Sequence, residues 1–323
     1  SREYLDGYNR VTGLDGVLRL SGTARLEGNA LLGFSRPEEG GAVTRSHNAD
    51  LGWVFGDRNY FARLDLHDIS RDFRLDAGFV PRDGVSGISF TGDRYLYPQS
   101  ELVPKVTLSY RGFLRRDKYS DLYDWRNMLR LNLTLPRSAY FETHSHFETE
   151  VYAGEVFDRS GPMAFLGGQV YKWLFLDFAL IATGTPIYDL EPPVQGDRIE
   201  LSAFLNVQPT ENFSTELYVL RQLLTHRSSG EEESDFRLYR SKTTYQLSKY
   251  LFVRGILEYN AFREHLTAEF LASFTYVPGT VLHLGYGSRF DQTRYDGSEY
   301  VPAEQLLEAT RGLFFKASYN LRL

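Results

Sequence analysis

There is no cysteine anywhere in the chain, so neither a disulfide framework nor a thiolate metal site is available to hold a fold together. Long hydrophobic runs are missing too. The most apolar stretch, Trp173 to Ala182, reads W-L-F-L-D-F-A-L-I-A and is interrupted by Asp177. That is well short of the ~18 consecutive apolar residues of a spanning helix. A helical membrane protein is excluded, but a membrane barrel is not, because barrel strands alternate and each carries only a weak signal. Basic excess is also lacking. A net charge of −6 leaves no electrostatic footprint for nucleic acid, which is not expected as a partner. No secretion signal opens the sequence, and Ser1 is read as a mature or processed end. Aromatic residues, by contrast, are plentiful: they make up 15% of the 323 residues, with 22 Tyr and 23 Phe. Many aromatics without long apolar runs point to many half-buried strands.

The last stretch, Gly312 to Leu323, shows the pattern most clearly. Leu313, Phe315, Ala317, Tyr319, Leu321 and Leu323 fall on one side of an extended strand, while Lys316, Ser318, Asn320 and Arg322 join Phe314 on the other. Successive strand side chains point to opposite faces, so one wall is apolar and the other mostly polar. The rest of the chain repeats this. Leu26, Gly28, Ala30 and Leu32 oppose Arg25, Glu27 and Asn29; Leu129, Leu131 and Leu133 oppose Arg130, Asn132 and Thr134. From Asn9 onward there are about seventeen such segments, at the spacing of a barrel of ten-residue strands.

The connections sort into two kinds. Tight ones include 21–23, 56–59, 136–138, 172–174, 209–212, 248–250 and 278–280, with 98–103 slightly longer. The others are mostly longer and more polar: 36–46, 70–86, 117–124, 154–162, 185–196, 227–234 and 292–310, with a short turn near Asn260. Short turns on one rim and long loops on the other are what an outer-membrane barrel has. The expected fold is therefore all-β, a transmembrane antiparallel β-barrel with about 16–18 strands in this chain, forming one domain over residues 1–323. Following the rims leaves an odd strand count. This is read as upstream strands missing from the chain and supplied by a second chain or an upstream segment.

Three stretches carry a resemblance. Asn9-Arg10-Val11-Thr12-Gly13-Leu14-Asp15, the run Asp72-Phe73-Arg74 leading to Gly78-Phe79-Val80-Pro81-Arg82, and Phe315-Lys316-Ala317-Ser318-Tyr319 resemble a domain-of-unknown-function family of outer-membrane β-barrels. That family is found C-terminal to a family-9-like carbohydrate-binding domain in bacteria such as the Bacteroidota. The likeness covers only the family's later part; its N-P-D-F, K-R-P-F-F and F-Y-S-R-R stretches are absent here. It implies a fold and an outer-membrane location, with lipid as a partner, and no particular reaction.

Two clusters are candidates for the lumen or a constriction. In the run from Glu142 to Glu150, the side chains of Glu142, His144, His146, Glu148 and Glu150 share one strand face. His-x-His beside carboxylates can hold a divalent ion, but a polar wall lining a water-filled barrel needs the same residues, and that is the preferred reading. Ser145 points the other way and cannot pair with His144 as nucleophile and base. The second cluster is Ser70 to Gly84, with Arg71, Arg74, Arg82, Asp72, Asp76 and Asp83 among Phe and Leu. It either folds inward as a charged constriction or pairs its own charges to hold a long loop down; the second is favoured. Asp50, Asp65, His67 and Asp68 raise an acid–His hydrolase site, and Tyr95, Tyr97 and Tyr152 a sugar-stacking platform. Trp53, Trp125 and Trp173 suit interfacial girdles. The function expected is passage of a solute or polypeptide through a lumen. A plugged scaffold barrel is the alternative and an outer-membrane hydrolase the third reading. Neither a catalytic residue nor a resident metal or cofactor is expected.

Overall fold

The computed structural model describes residues 2–3, 7–36, 41–76, 78–277, 279–295 and 300–319. The described residues form strands and connections only. The strands are β1 (Arg2–Glu3), β2 (Tyr8–Arg19), β3 (Ala24–Arg36), β4 (Thr44–Gly56), β5 (Tyr60–Ile69), β6 (Val85–Leu96), β7 (Lys105–Asp117), β8 (Tyr123–Thr134), β9 (Tyr140–Tyr152) and β10 (Glu155–Asp158). They continue as β11 (Gly161–Tyr171), β12 (Leu174–Ile187), β13 (Val194–Thr210), β14 (Phe213–His226), β15 (Glu232–Gln246), β16 (Leu251–Asn260), β17 (His265–Val277), β18 (Thr280–Tyr295) and β19 (Tyr300–Ser318).

The chain divides into two compact units. The first comprises Ser1–Leu135, Glu142–Met163 and Thr183–Asp197. In it β2 to β8 form an antiparallel meander in which each strand pairs with the next, and β9 pairs with β10. The second comprises Pro136–Phe141, Ala164–Ala182 and Arg198–Leu323, with β14 to β19 as another antiparallel meander. Register fixes which residues share a face. In the first unit Leu26 sits opposite Trp53, and Tyr110 opposite Leu129, on one face; Arg115 sits opposite Asp124 on the other. In the second, Leu257 faces Ala268 and Leu284 faces Phe315, while Glu269 and Gly287 occupy the other side.

Burial is inverted relative to a water-soluble sheet. Among the described residues the buried apolar side chains are few, among them Val54, Phe73, Val85 and Val151, whereas Asp117, Asp124, His146, Glu148, Ser273 and Ser288 are buried. Leu51, Leu66, Leu108, Leu201, Leu257 and Phe270 are all exposed, Leu129 by 63% and Phe315 by 68%. Charged side chains are almost never fully buried in soluble proteins. Apolar side chains outward and polar side chains in is the arrangement a hydrocarbon solvent favours.

The tight turns are built as their residues require. Ser21 Oγ accepts from the Ala24 N–H (3.1 Å), Asp57 Oδ1 from the Asn59 and Tyr60 N–H groups (both 2.7 Å), and Ser248 Oγ from the Tyr250 and Leu251 N–H groups (both 3.2 Å). These local side-chain acceptors make Ser and Asp natural turn residues.

Two loops expected from composition are strands instead. The stretch 154–162 is a two-residue turn at Ala153-Gly154, both with positive φ (49° and 79°), leading into β10, which pairs back onto β9 from Tyr152 to Thr149. Paired positive φ values are what a tight hairpin turn demands, and alanine bears that conformation at a cost of roughly 1 kcal/mol. Ala153→Asn is therefore expected to raise stability by up to ~1 kcal/mol, read as a shift in the urea midpoint of the folded protein in detergent. The stretch 292–310 is the second case: β18 runs to Tyr295 and β19 begins at Tyr300. Register slips between Arg289 and Phe290 and again between Asp291 and Thr293 break the alternation, so a polar, bulged hairpin reads as loop. The stretch 185–196 shortens similarly, since β12 reaches Ile187 and β13 starts at Val194. Asn320, Leu321, Arg322 and Leu323 of the expected closing strand lie outside the described residues, as do 37–40, Ala77, Pro278 and 296–299.

Candidate functional site

On the polar face of the first unit the charges are joined into short ladders. Glu27 accepts from Arg25 (2.8 Å) and Arg63 (2.6 Å), and Arg63 also reaches Asp65 (2.9 and 2.8 Å). One strand pair further along, Arg111 donates to Asp93 (2.8 Å), which also receives the Tyr95 hydroxyl (3.3 Å). Asp124 is only 1% exposed and accepts from Arg115 (2.9 and 2.8 Å) and from Arg82 (3.0 Å). Alternation delivers these pairs: Arg115 and Asp124 are directly opposite across β7 and β8. Cross-strand neighbours of opposite charge on one face stabilise a sheet.

The β9 residues singled out by the sequence continue the series. Glu142 accepts from Arg130 and from Asn132 (2.7 Å), and His144 Nε2 bonds the same carboxylate (2.6 Å). Glu148 is clasped by both ends of the Arg126 guanidinium (2.8 and 2.7 Å), the fork geometry that gives such pairs their direction. His146 is buried, with Nε2 3.1 Å from the Arg159 carbonyl. Glu150 accepts from Arg159 (2.7 Å) and from the Tyr188 hydroxyl (2.8 Å), whose ring meets Tyr152 edge-on at 4.9 Å. The two histidines thus have separate partners. Among the described residues no group of three or more His, Asp or Glu side chains is arranged to hold a metal ion.

The segment 70–84 is held down by its own charges, joined by partners that composition did not reveal. Arg82 donates to Asp117 (2.5 Å) as well as Asp124, both on strands that follow the segment. Burial disfavours the charge on this guanidinium, but the two carboxylates outweigh it and hold its pKa above the ordinary value. Phe73 is buried at the root, against Gly33. Asn9 clamps the backbone here, donating to the Arg74 carbonyl (3.0 Å) and accepting from the Asp76 N–H (3.4 Å). Arg74 pairs with Asp76 (2.5 Å), and Arg71 lies over the Tyr119 ring at 5.5 Å. Asp72, at φ 60°, donates its N–H to Asp83 (2.9 Å). The Tyr119 hydroxyl also donates to Asp83 (2.8 Å), and burial followed by that carboxylate pushes its pKa up. A cleft of about 590 Å³ opens beside these groups, lined by Arg82, Asp117, Tyr119, Ser120, Glu150 and Tyr152.

The other groupings weighed from the sequence form only in part. Asp65 and His67 point to the polar face, with His67 opposite Asp50, but Asp68 lies opposite Ala49 on the apolar face, where it meets His47 (2.5 Å) and Lys118 (2.7 Å). The one-residue step from His67 to Asp68 turns the second side chain to the other face despite their proximity in sequence. Tyr95 and Tyr97 stand at the far end of β6, where Tyr97 bonds the Arg58 carbonyl (3.1 Å), whereas Tyr152 ends β9 at the opposite rim. The three tyrosines make no common platform.

No family model and no curated protein matches the sequence. Solved structures do. A variant of the ferric enterobactin receptor of Pseudomonas aeruginosa superimposes with a TM-score of 0.55 at 11% identity, covering 94% of this chain and 61% of the receptor. A second variant of that receptor, in complex with enterobactin, gives a TM-score of 0.54 at 11% identity, with 94% and 62% covered. This chain thus spans under two thirds of the receptors' length. At such identity the likeness establishes the fold, an all-β antiparallel barrel of the outer-membrane type.

Proposed function

We propose that this chain is the wall of a bacterial outer-membrane barrel through whose lumen a small polar solute passes. The observation that carries the proposal is the division of labour between the two faces of the first unit. The apolar face is exposed in the manner of a lipid contact, while the polar face carries ion pairs from Glu27 through Asp124 to Glu150. Charges of this kind on an inward face attract water and ions into a pore and bias which sign crosses it. Likeness to a receptor barrel supports the reading at the level of fold.

Single-channel recording of the purified protein in a planar bilayer tests it. Stable conductance steps are expected; a folded, heat-modifiable barrel that stays silent would point instead to a plugged scaffold. Selectivity gives a sharper check. Glu142→Gln removes a negative charge while keeping an acceptor for Arg130 and His144, so the reversal potential in a salt gradient is expected to move toward anion permeability. An unchanged reversal potential in a conducting channel would mean that this face does not line the path.

A further inference from the structure

The polar face of the second unit carries a feature unlike the closed ladders of the first. Gly287 of β18 and Gly312 of β19 are directly opposite each other. A Cβ added at either would meet nothing within 4 Å. Side by side, they leave bare backbone as the floor of a depression of about 370 Å³, within the range of small-molecule sites. Phe314 forms one wall. Its ring lies on Gly285, where any larger side chain would displace it, so the glycine sets the ring's position. This is an aromatic side chain covering a cross-strand glycine. Ile256 and Leu271 are among its other apolar lining residues.

Two charges border this apolar patch, Arg254 and Glu269. Register places Arg254 opposite Leu271 and Ile256 opposite Glu269, so the two charges are diagonal neighbours with Cβ atoms roughly 7–8 Å apart. Side chains of their length can span that gap, yet they do not meet: among the described residues neither is in an ion pair or a side-chain hydrogen bond. In the first unit, Glu27, Asp93, Asp124, Glu142, Glu148 and Glu150 all have a cationic partner. Here a cation and an anion stand apart beside a bare backbone floor with apolar walls, the complement of a molecule with an aromatic body and both charges.

We propose that this depression is a binding subsite for a small aromatic zwitterion, of the chemical class of an aromatic amino acid. The carboxylate of the ligand meets Arg254, its ammonium meets Glu269, and its ring lies on the Gly287–Gly312 backbone against Phe314. The subsite deepens the passage reading, on which it rests for its place along a solute path, but binding itself is measured without passage.

Isothermal titration of the detergent-solubilised, heat-modifiable protein with L-phenylalanine tests the proposal, with phenylacetate and phenethylamine as single-charge probes. Saturable binding of phenylalanine is expected, at least about tenfold tighter than either probe, the ratio that one charge-assisted hydrogen bond gives. Gly312→Leu fills the floor where no neighbour stands in the way, so it is expected to fold and to abolish binding. Arg254→Gln is expected to weaken phenylalanine by about tenfold or more and to leave phenethylamine unchanged. Three results overturn the proposal: no saturable binding to the folded wild type, binding retained in folded Gly312→Leu, or equal affinity for all three probes. A silent bilayer with phenylalanine bound would overturn passage and leave the subsite standing.

Discussion

Leu129→Arg is expected to destabilise the folded protein by about 2–4 kcal/mol, the cost of placing a guanidinium against hydrocarbon near the middle of a bilayer. Leu129 lies well inside β8, is 63% exposed and faces Tyr110 across the ladder. Its neighbour Met128 points to the opposite face, opposite Arg111. Met128→Gln is expected to change stability by well under 1 kcal/mol, as a lumen-side substitution does. The comparison is made by urea titration of both variants refolded into lipid vesicles. A soluble sheet would give the reverse ranking, because an arginine at a water-exposed site costs little. Equal losses at the two positions would sink the assignment of faces.

Asp124→Ala is expected to cost about 3–5 kcal/mol, the range for removing one partner from a buried charge pair. Two guanidiniums, Arg82 and Arg115, converge on this carboxylate. Without it Arg82 retains Asp117 alone, while Arg115 loses the partner it has across the ladder. The effect should appear in two places. Global stability falls, and the segment 70–84, released at its C-terminal end, becomes open to limited proteolysis while Asn9 still holds its middle. Asp124→Asn, which preserves an acceptor, is expected to recover part of the loss. If alanine leaves both stability and protease resistance unchanged, the segment is held by Asn9 and Phe73 and the ion pairs add little.

How much of this was legible in the sequence depended on the range over which the physics acts. Alternation is local, so Leu129 and Arg130 could be assigned to opposite faces from two residues of context, and Glu142, His144 and Glu148 to one face from seven. Their partners were not local. Arg126 and Arg130 were visible only as the polar half of another strand, and register between the strands decides which carboxylate each meets. The segment 70–84 showed the same limit: its charges signalled pairing, but Asp117 and Asp124 lie two strands further along the chain. Where alternation failed, so did the reading. The bulges between Arg289 and Thr293 shift the phase, and the adjoining ends of β18 and β19, within 292–310, passed for loop. The depression at Gly287 and Gly312 left a faint trace, glycines in slots where the pattern elsewhere places side chains. Only the ladder shows that the two gaps coincide.

The inverted burial has a consequence for how the chain reaches its folded form. Few described apolar side chains are enclosed by the protein itself, so in water there is little core to collapse around. The force that compacts a soluble domain, removal of apolar surface from water, is satisfied here by acyl chains. For such a barrel, insertion and folding are one reaction, with the bilayer as a reactant. The same property makes lipid composition a term in its equilibrium: a bilayer thinner or thicker than its apolar band shifts the population of folded protein without altering a single residue.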